Sequence, residues 1–330
     1  MNLSLIICTY KRAKSLLQLL ESIKWQTVYP NEILIIDGSP DNSTEEILRE
    51  NVFDKLIYFK VNEHDRGLTK QRNFGIERVS AQAELICFLD DDVILLKNYF
   101  EEIIKTYQQF PKALGVGGYI TNEVKWEFKG EDFAPSVNQF KYDGWVRKES
   151  SRFVFRKKLR LDANTQPGYL PEFSHGRSIS FLPPSGNIYP VEQLMGGVSS
   201  FKKEVFVKLR FSTYFEGYGL YEDADFTLRL SKLGQLYVNT AAQLEHHHHP
   251  SGRPNQYYYG KMVVRNGWYV WRVKFPNPTF NAKIKWHAIT ILLTLVRATN
   301  ILNTSKRKEA LTETLGRCVG WFSIFVKKPR

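Results

Sequence analysis

Three adjacent carboxylates, Asp90, Asp91 and Asp92, follow directly on the apolar run ICFL. Their mutual repulsion costs stability unless a cation or hydrogen-bond donors offset it. A hard divalent ion with phosphate co-ligands does so, because such ions take few protein carboxylates and keep substrate oxygens. A solvated acidic turn ahead of a helix is the bland alternative. Asp37 closes a second apolar run, EILII, and Glu222 and Asp223 head an amphipathic stretch, YEDADFTLRLSKLG. A carboxylate at a helix N-terminus is favoured as the anion by roughly 0.3–1 kcal/mol. Asp223 is therefore expected to stay ionised at neutral pH and to accept a proton from a hydroxyl. In an isolated helix, ordinary first-turn acids look the same.

The elements that must position these acids read as α/β. LSLIIC (Leu3 to Cys8), EILIID (Glu32 to Asp37), KLIYFKV (Lys55 to Val61) and ELICFLD (Glu84 to Asp90) are predicted strands. Helices are predicted from Ser15 to Trp25, through Leu16, Leu19, Leu20 and Ile23, and from Leu68 to Val79. This alternation implies a parallel sheet covered on both faces. Ligands of such sheets gather at the carboxyl ends of the strands. From Tyr119 to Met195 the rhythm is lost, and aromatics, Gly, Pro and a basic run from Arg147 to Arg160 take over. An insert of that length in a compact enzyme is usually functional or partly disordered. In MGGVSSFKKEVFVKL, Ser199 or Ser200 is expected to cap a short helix, and Gly234 to stop the helix of YEDADFTLRLSKLG.

A length of 330 residues suggests about two domains. With 43% hydrophobic, 14% aromatic and 24% charged residues, the composition excludes a disordered chain. The net charge of +12 is lopsided. From Ser251 to Arg330 there are 15 Lys and Arg against only Glu309 and Glu313, whereas the first 250 residues are nearly neutral. Within this tail, Ala282 to Ile301 has a helical pattern. Lys283, His287, Thr290, Thr294 and Arg297 form a narrow polar stripe on an otherwise apolar surface. Its most apolar stretch, Ala288 to Val296, is far below the ~20 residues that span a bilayer. An apolar arc beside KRK and KK fits an anionic membrane surface better than nucleic acid. Packing on the catalytic domain or on a second subunit, in a homo-oligomer, is the other reading. Cys8, Cys87 and Cys318 are widely spaced, so no disulfide framework is expected and a reducing compartment fits. The run Leu3 to Cys8 is too short, and lacks the basic leader, for a signal peptide.

Taken in order, these segments resemble glycosyltransferase family 2, inverting enzymes with the GT-A nucleotide-sugar-binding fold. LSLIICTYKR is similar to the family's first strand and turn, and EILIIDGSPDNS to its nucleotide-binding turn. GLTKQRNFGI resembles its Gly/Arg-Asn-x-Gly segment, and FLDDDV its Asp-x-Asp metal element. MGGVSSFKKEVF resembles its donor and acceptor loop, which contains Gly197, and GYGLYEDADFTLRLSKLG its catalytic-base helix. The resemblance runs from roughly Asn2 to Arg265. It implies a GT-A domain over 1–250, with 119–195 as an acceptor-side insert, and a basic, largely helical region over 251–330.

The resemblance also implies roles. Thr9, Asp37, Arg72, Asp90, Asp91 and Gly197 would contact the nucleotide-sugar, and Asp92 a divalent cation, Mn²⁺ or Mg²⁺. Asp223 would be the general base, supported by Glu222 and Asp225. The family places a His about 20 residues after the Glu-Asp pair. His246 lies 23 beyond Asp223, and a neutral imidazole is a reasonable Mn²⁺ ligand. His247 and His248 are alternatives, and SGR (251–253) suggests a phosphate-binding loop. Although LEHHHH looks like a purification tag, 81 residues follow it. The chain has one Asp before Gly38, where the family often has two. It also lacks the Gln-x-x-Arg-Trp element of processive members, which implies transfer of a single sugar. The implied acceptor is a saccharide or lipid-linked glycan in bacterial surface polysaccharide synthesis, at the cytoplasmic face of the membrane. A sugar nucleotidyltransferase would want a Gly-rich loop after the first strand, which CTYKRAKS is not. A non-catalytic nucleotide-sugar-binding or membrane scaffold protein is the alternative from another class.

Overall fold

The computed structural model describes residues 1–173, 175–215, 217–248, 254–303 and 305–329. His249 and the SGR segment lie outside the described residues. Contacts divide the chain into two compact units: Met1–Lys125 with Leu182–Gly252, and Trp126–Phe181 with Arg253–Arg330.

The first unit opens with β1 (Leu3–Thr9), α1 (Ala13–Lys24), β2 (Glu32–Asp37), α2 (Ser43–Glu50), β3 (Leu56–Lys60) and α3 (Leu68–Ile76). It continues through β4 (Leu85–Asp90), β5 (Val93–Leu95), α4 (Tyr99–Gln109) and β6 (Gly115–Ile120). In the second unit, β7 (Glu127–Phe128), β8 (Gln139–Tyr142) and β9 (Trp145–Lys148) precede α5 (Ser151–Lys158). The chain then returns to the first unit with β10 (Ile188–Val191), β11 (Val198–Lys202), α6 (Val205–Lys208), α7 (Glu222–Leu230) and β12 (Leu236–His246). Three helices of the second unit follow: α8 (Gln256–Lys274), α9 (Phe280–Asn303) and α10 (Arg307–Val326).

The nine-stranded sheet of the first unit has the order β10-β12-β6-β11-β4-β1-β2-β3, with β5 on β12. β4, β1, β2 and β3 are mutually parallel; the first three are buried on both faces, as their apolar runs predict, and β3 is the partly exposed edge strand. β11 runs antiparallel between β4 and β6. Leu16, Leu19, Leu20 and Ile23 of α1 are fully buried in the core against β1 and β2 residues. The register pairs Thr9 with Asp37 and Cys8 with Asp90, which brings the acidic strand ends to one edge.

Two local expectations change. Ser199 and Ser200 cap no helix; both lie inside β11, where the buried Ser200 hydroxyl donates to the Val116 carbonyl at 2.8 Å. Hydroxyls can satisfy themselves on a neighbouring strand as well as at a helix start, and the apolar pattern of VSSF was too short to distinguish the two. The stretch from Tyr119 to Met195 is also less irregular than it reads. It supplies the three-stranded antiparallel sheet β7-β9-β8 and α5 to the second unit, and edge strand β10 to the first.

In the second unit, α8 and α10 approach backbone to backbone at Gly260 and Gly316. A Cβ on Gly260 would sit 2.1 Å from the Glu313 carbonyl, and one on Gly316 2.0 Å from that of Tyr257. α9 closes on the pair through Trp286, which packs on Trp268 and Trp271 of α8.

Candidate active site

The three Asp residues after β4 have different surroundings. Asp91 turns inward: its carboxylate accepts from the Thr9 hydroxyl at 2.7 Å and from Arg12 Nη1 at 2.9 Å. Burial pushes its carboxyl up to about 6, with Arg12 and Thr9 pulling against it. Arg12 also reaches Asp92 Oδ2 at 3.1 Å, so one guanidinium offsets two crowded carboxylates. Asp90 stays at the surface, its side chain 41% exposed. Asp37 is fully buried, accepting from the Ser39 N–H at 2.7 Å and the Tyr58 hydroxyl at 2.9 Å. Thr9 and Asp91 are thus bonded to each other and Asp37 to Ser39 and Tyr58, Asp92 is buried behind Arg12, and Asp90 is the member of the triplet that stays accessible.

Opposite them stands the start of α7. Glu222 Oε1 accepts from Arg72 Nη1, and both side chains are buried. Arg72 Nη2 also lies 3.6 Å from Asp90 Oδ1, and its guanidinium lies over the Phe88 and Phe211 rings. Burial pushes the Glu222 carboxyl up to about 8, against the pull of Arg72. Its Oε2 has no hydrogen-bond partner among the described residues. Asp223 accepts from the Gly196 N–H at 3.2 Å and the Ala224 N–H at 2.7 Å. Burial raises its carboxyl, and those two N–H groups draw it back. Asp225 is fully buried and receives Arg229 Nη2 at 2.7 Å.

Removing one partner of a buried ion pair leaves an uncompensated charge, at about 3–5 kcal/mol. Arg72→Met is expected to lower stability by up to that amount on the alkaline side of pH 8, where Glu222 is ionised beside the guanidinium, read from urea unfolding at pH 9. Without the guanidinium the Glu222 carboxyl rises further. At pH 8 and below it is protonated in the variant, so the deficit should shrink toward pH 6.

At the end of β12, His246 Nε2 lies 3.1 Å from Asp92 Oδ1, and its Nδ1 lies 3.1 Å from Glu123 Oε1. Burial alone would hold this imidazole down, but the hydrogen bonds to Asp92 and Glu123 outweigh it and push it up to about 10. His248 approaches Glu123 Oε1 at 3.1 Å as well. One ligand atom each from Asp90, Asp92 and His246 lie within 4.8 Å of one another. Two carboxylates and one imidazole form a donor set that suits Mn²⁺, and these residues fit a divalent cation. Arg72, Asp90, Glu222, Asp223 and His246, with Gly196 and Gly197 between them, line one pocket of about 250 Å³.

The profile of Glycosyl transferase family 2 matches residues 4–173, just over half of the chain. The chain belongs to glycosyl transferase family 2. Among its relatives, the glucosyl-dolichyl phosphate glucuronosyltransferase of Haloferax volcanii is 28% identical over 140 residues, 41% of this chain and 42% of that protein. The uncharacterized glycosyltransferase YwdF of Bacillus subtilis is 31% identical over 190 residues, 57% of this chain and 58% of its own length. The chain thus spans roughly two- to three-fifths of the length of these relatives. The crystal structure of GalNAc-T7 with UDP, GalNAc and Mn²⁺ aligns with a TM-score of 0.53 at 16% identity. That alignment covers 80% of this chain and 48% of GalNAc-T7, and it establishes the GT-A fold.

Of the family residues expected from sequence, Arg72, Asp90, Glu222, Asp223, Gly197 and His246 meet at the pocket. Thr9, Asp37, Asp91 and Asp92 do not line it; Asp92 meets the site through its contact with His246. Sequence reasoning missed Arg12 and Glu123. Arg12 stands in the quoted turn TYKR, and a cation there beside three carboxylates was the available signal. Glu123 lies beyond β6 with no pattern to mark it, and only the fold brings it to His246.

Proposed function

We propose that the chain is a metal-dependent inverting transferase that moves one sugar from a nucleotide-sugar to a saccharide or lipid-linked acceptor. The observation that carries this reading is the pocket itself. It sets Asp223, oriented by two backbone N–H groups, across from the Asp90, Asp92 and His246 donor set. When bound there, a divalent cation would neutralise charge on the donor diphosphate. Asp223 accepts the proton of the acceptor hydroxyl as its oxygen forms the new bond to the anomeric carbon. The bond from that carbon to the diphosphate oxygen breaks, and its electron pair leaves with the nucleoside diphosphate. Attack from the face opposite the leaving group converts an α-linked donor into a β-linkage. Arg72 places fixed positive charge beside Asp90 at the pocket wall, where negative charge on the leaving group develops. Glu222 Oε2, buried and without a protein donor, is suited to receive a substrate hydroxyl.

The relative named for glucosyl-dolichyl phosphate supports a lipid-linked acceptor, and a role in surface glycan assembly follows that reading. Thermal-shift screening across UDP-, GDP- and dTDP-sugars, with and without Mn²⁺, tests it. A donor at 100 times its Kd stabilises by about 2.7 kcal/mol. The expected result is a shift that needs both one nucleotide class and the cation, and that Asp92→Ala abolishes. No shift with any donor in the presence of metal would overturn the reading.

A further inference from the structure

α9 and α10 run antiparallel, and their seam is marked by side-chain pairs. Trp321 Nε1 donates to His287 Nδ1 at 3.0 Å, the Phe325 ring stacks on His287, and Arg297 meets Glu313 at 2.7 Å. Ala282, Trp286 and Ile289 of α9 are buried on the α8 side of that seam, as are Gly316 and Gly320 of α10. At 100° per residue, Ile284, Ile291, Leu295 and Leu302 form a stripe about a quarter-turn from the seam, away from α8. On α10, Leu311, Leu315, Val319, Phe322 and Val326 recur at spacings of 4, 4, 3 and 4, also on the side away from α8. Every one of these nine side chains is exposed, from 41% at Val319 to 91% at Val326. The two stripes therefore form one apolar face, about 27 Å long from Ile284 to Leu302 at 1.5 Å per residue.

Cations border this face at both ends. Lys306, Arg307 and Lys308 stand exposed at the turn between the helices, and Lys283, Lys327 and Lys328 at the opposite end. The acids of this segment are Glu309 and Glu313, and Glu313 is held between Arg297 and Arg317. No helix among the described residues is long and apolar enough to cross a membrane. A two-helix apolar face with cationic ends has the chemistry of a platform lying in the headgroup layer. A second copy of the chain would bring like charges together at both ends.

We propose that the α9–α10 face docks on an anionic lipid bilayer surface. The inference stands on this face alone, not on the donor site, and vesicle binding is read without nucleotide. Full-length protein is mixed with vesicles of phosphatidylcholine, alone or with 30% phosphatidylglycerol, and recovered by flotation at low and high salt. Binding is expected to favour the anionic vesicles at least tenfold and to weaken in high salt. Each basic residue contributes about fivefold. Lys306→Gln, Arg307→Gln and Lys308→Gln together should lower partitioning about 100-fold. Leu295→Glu with Phe322→Glu should lower it at least tenfold, with circular dichroism unchanged because both side chains are exposed. Equal recovery on both vesicle types overturns the proposal, as does retained binding in either variant. So does a dimer in light scattering that Leu295→Glu with Phe322→Glu converts to monomer.

Discussion

Asp223→Asn is expected to lower kcat about 10³-fold, within the range for loss of a general base, and to leave donor Kd nearly unchanged. The isosteric amide keeps one acceptor oxygen, enough for the shorter bond from the Ala224 N–H, and gives up the longer one from the Gly196 N–H, which used the other carboxylate oxygen. What it loses is the lone pair that takes the acceptor proton. A base works only when deprotonated, and burial raises the Asp223 carboxyl above the ordinary 3.8. The wild-type rate should therefore fall as pH drops through a value above 3.8, and rise on the alkaline side of it. Single-turnover kinetics with the identified donor, alongside isothermal titration of the nucleoside diphosphate, read both quantities. A variant that keeps its kcat would assign the base elsewhere. A non-catalytic scaffold would keep its function in Asp223→Asn, so the same substitution separates the two classes.

The parts of this site carried by strand periodicity were legible beforehand. β1, β2 and β4 are buried on both faces, so their sequences are nearly continuous apolar runs, and the ends of β2 and β4 are marked by an acid. Parallel pairing then forces Asp37 and Asp90 to one edge. The direction of each carboxylate was not legible. Asp91 turns inward because Arg12 and Thr9 wait there, and that meeting depends on a register across 79 or more residues. His246 could not be separated from its neighbours in HHHH by composition. The fold gives them different surroundings: His246 closes β12 opposite Val93 and meets Asp92, while His248 reaches Glu123. The segment between Trp126 and Phe181 lacked a period because its strands are two to four residues long.

Gly197→Ala should remove metal-dependent donor binding while sparing the fold, because of where the added methyl must go. A Cβ at position 197 falls 2.0 Å from Asp90 Cγ and 2.1 and 2.3 Å from its two oxygens. The backbone cannot retreat. The Asp90 N–H donates to the Gly197 carbonyl at 3.0 Å, and the next residue, Val198, is paired with Leu89 in the sheet. The Asp90 carboxylate must therefore swing away, and its 41% exposure gives it water to swing into. The stability cost stays near the low end of overpacking, about 1 kcal/mol. The donor set loses a member, because Asp90, Asp92 and His246 converge only while that carboxylate holds its place. A misplacement of this size costs about 10²-fold in catalysis. A Mn²⁺-dependent thermal shift with the donor, set against the urea midpoint of the free protein, measures the two effects separately. A double-mutant cycle identifies the cause: once Asp90→Ala has removed the carboxylate, adding Gly197→Ala should cost little more. If the second substitution still costs tenfold in that background, the glycine serves the loop at Gly196 and Asp223 rather than Asp90.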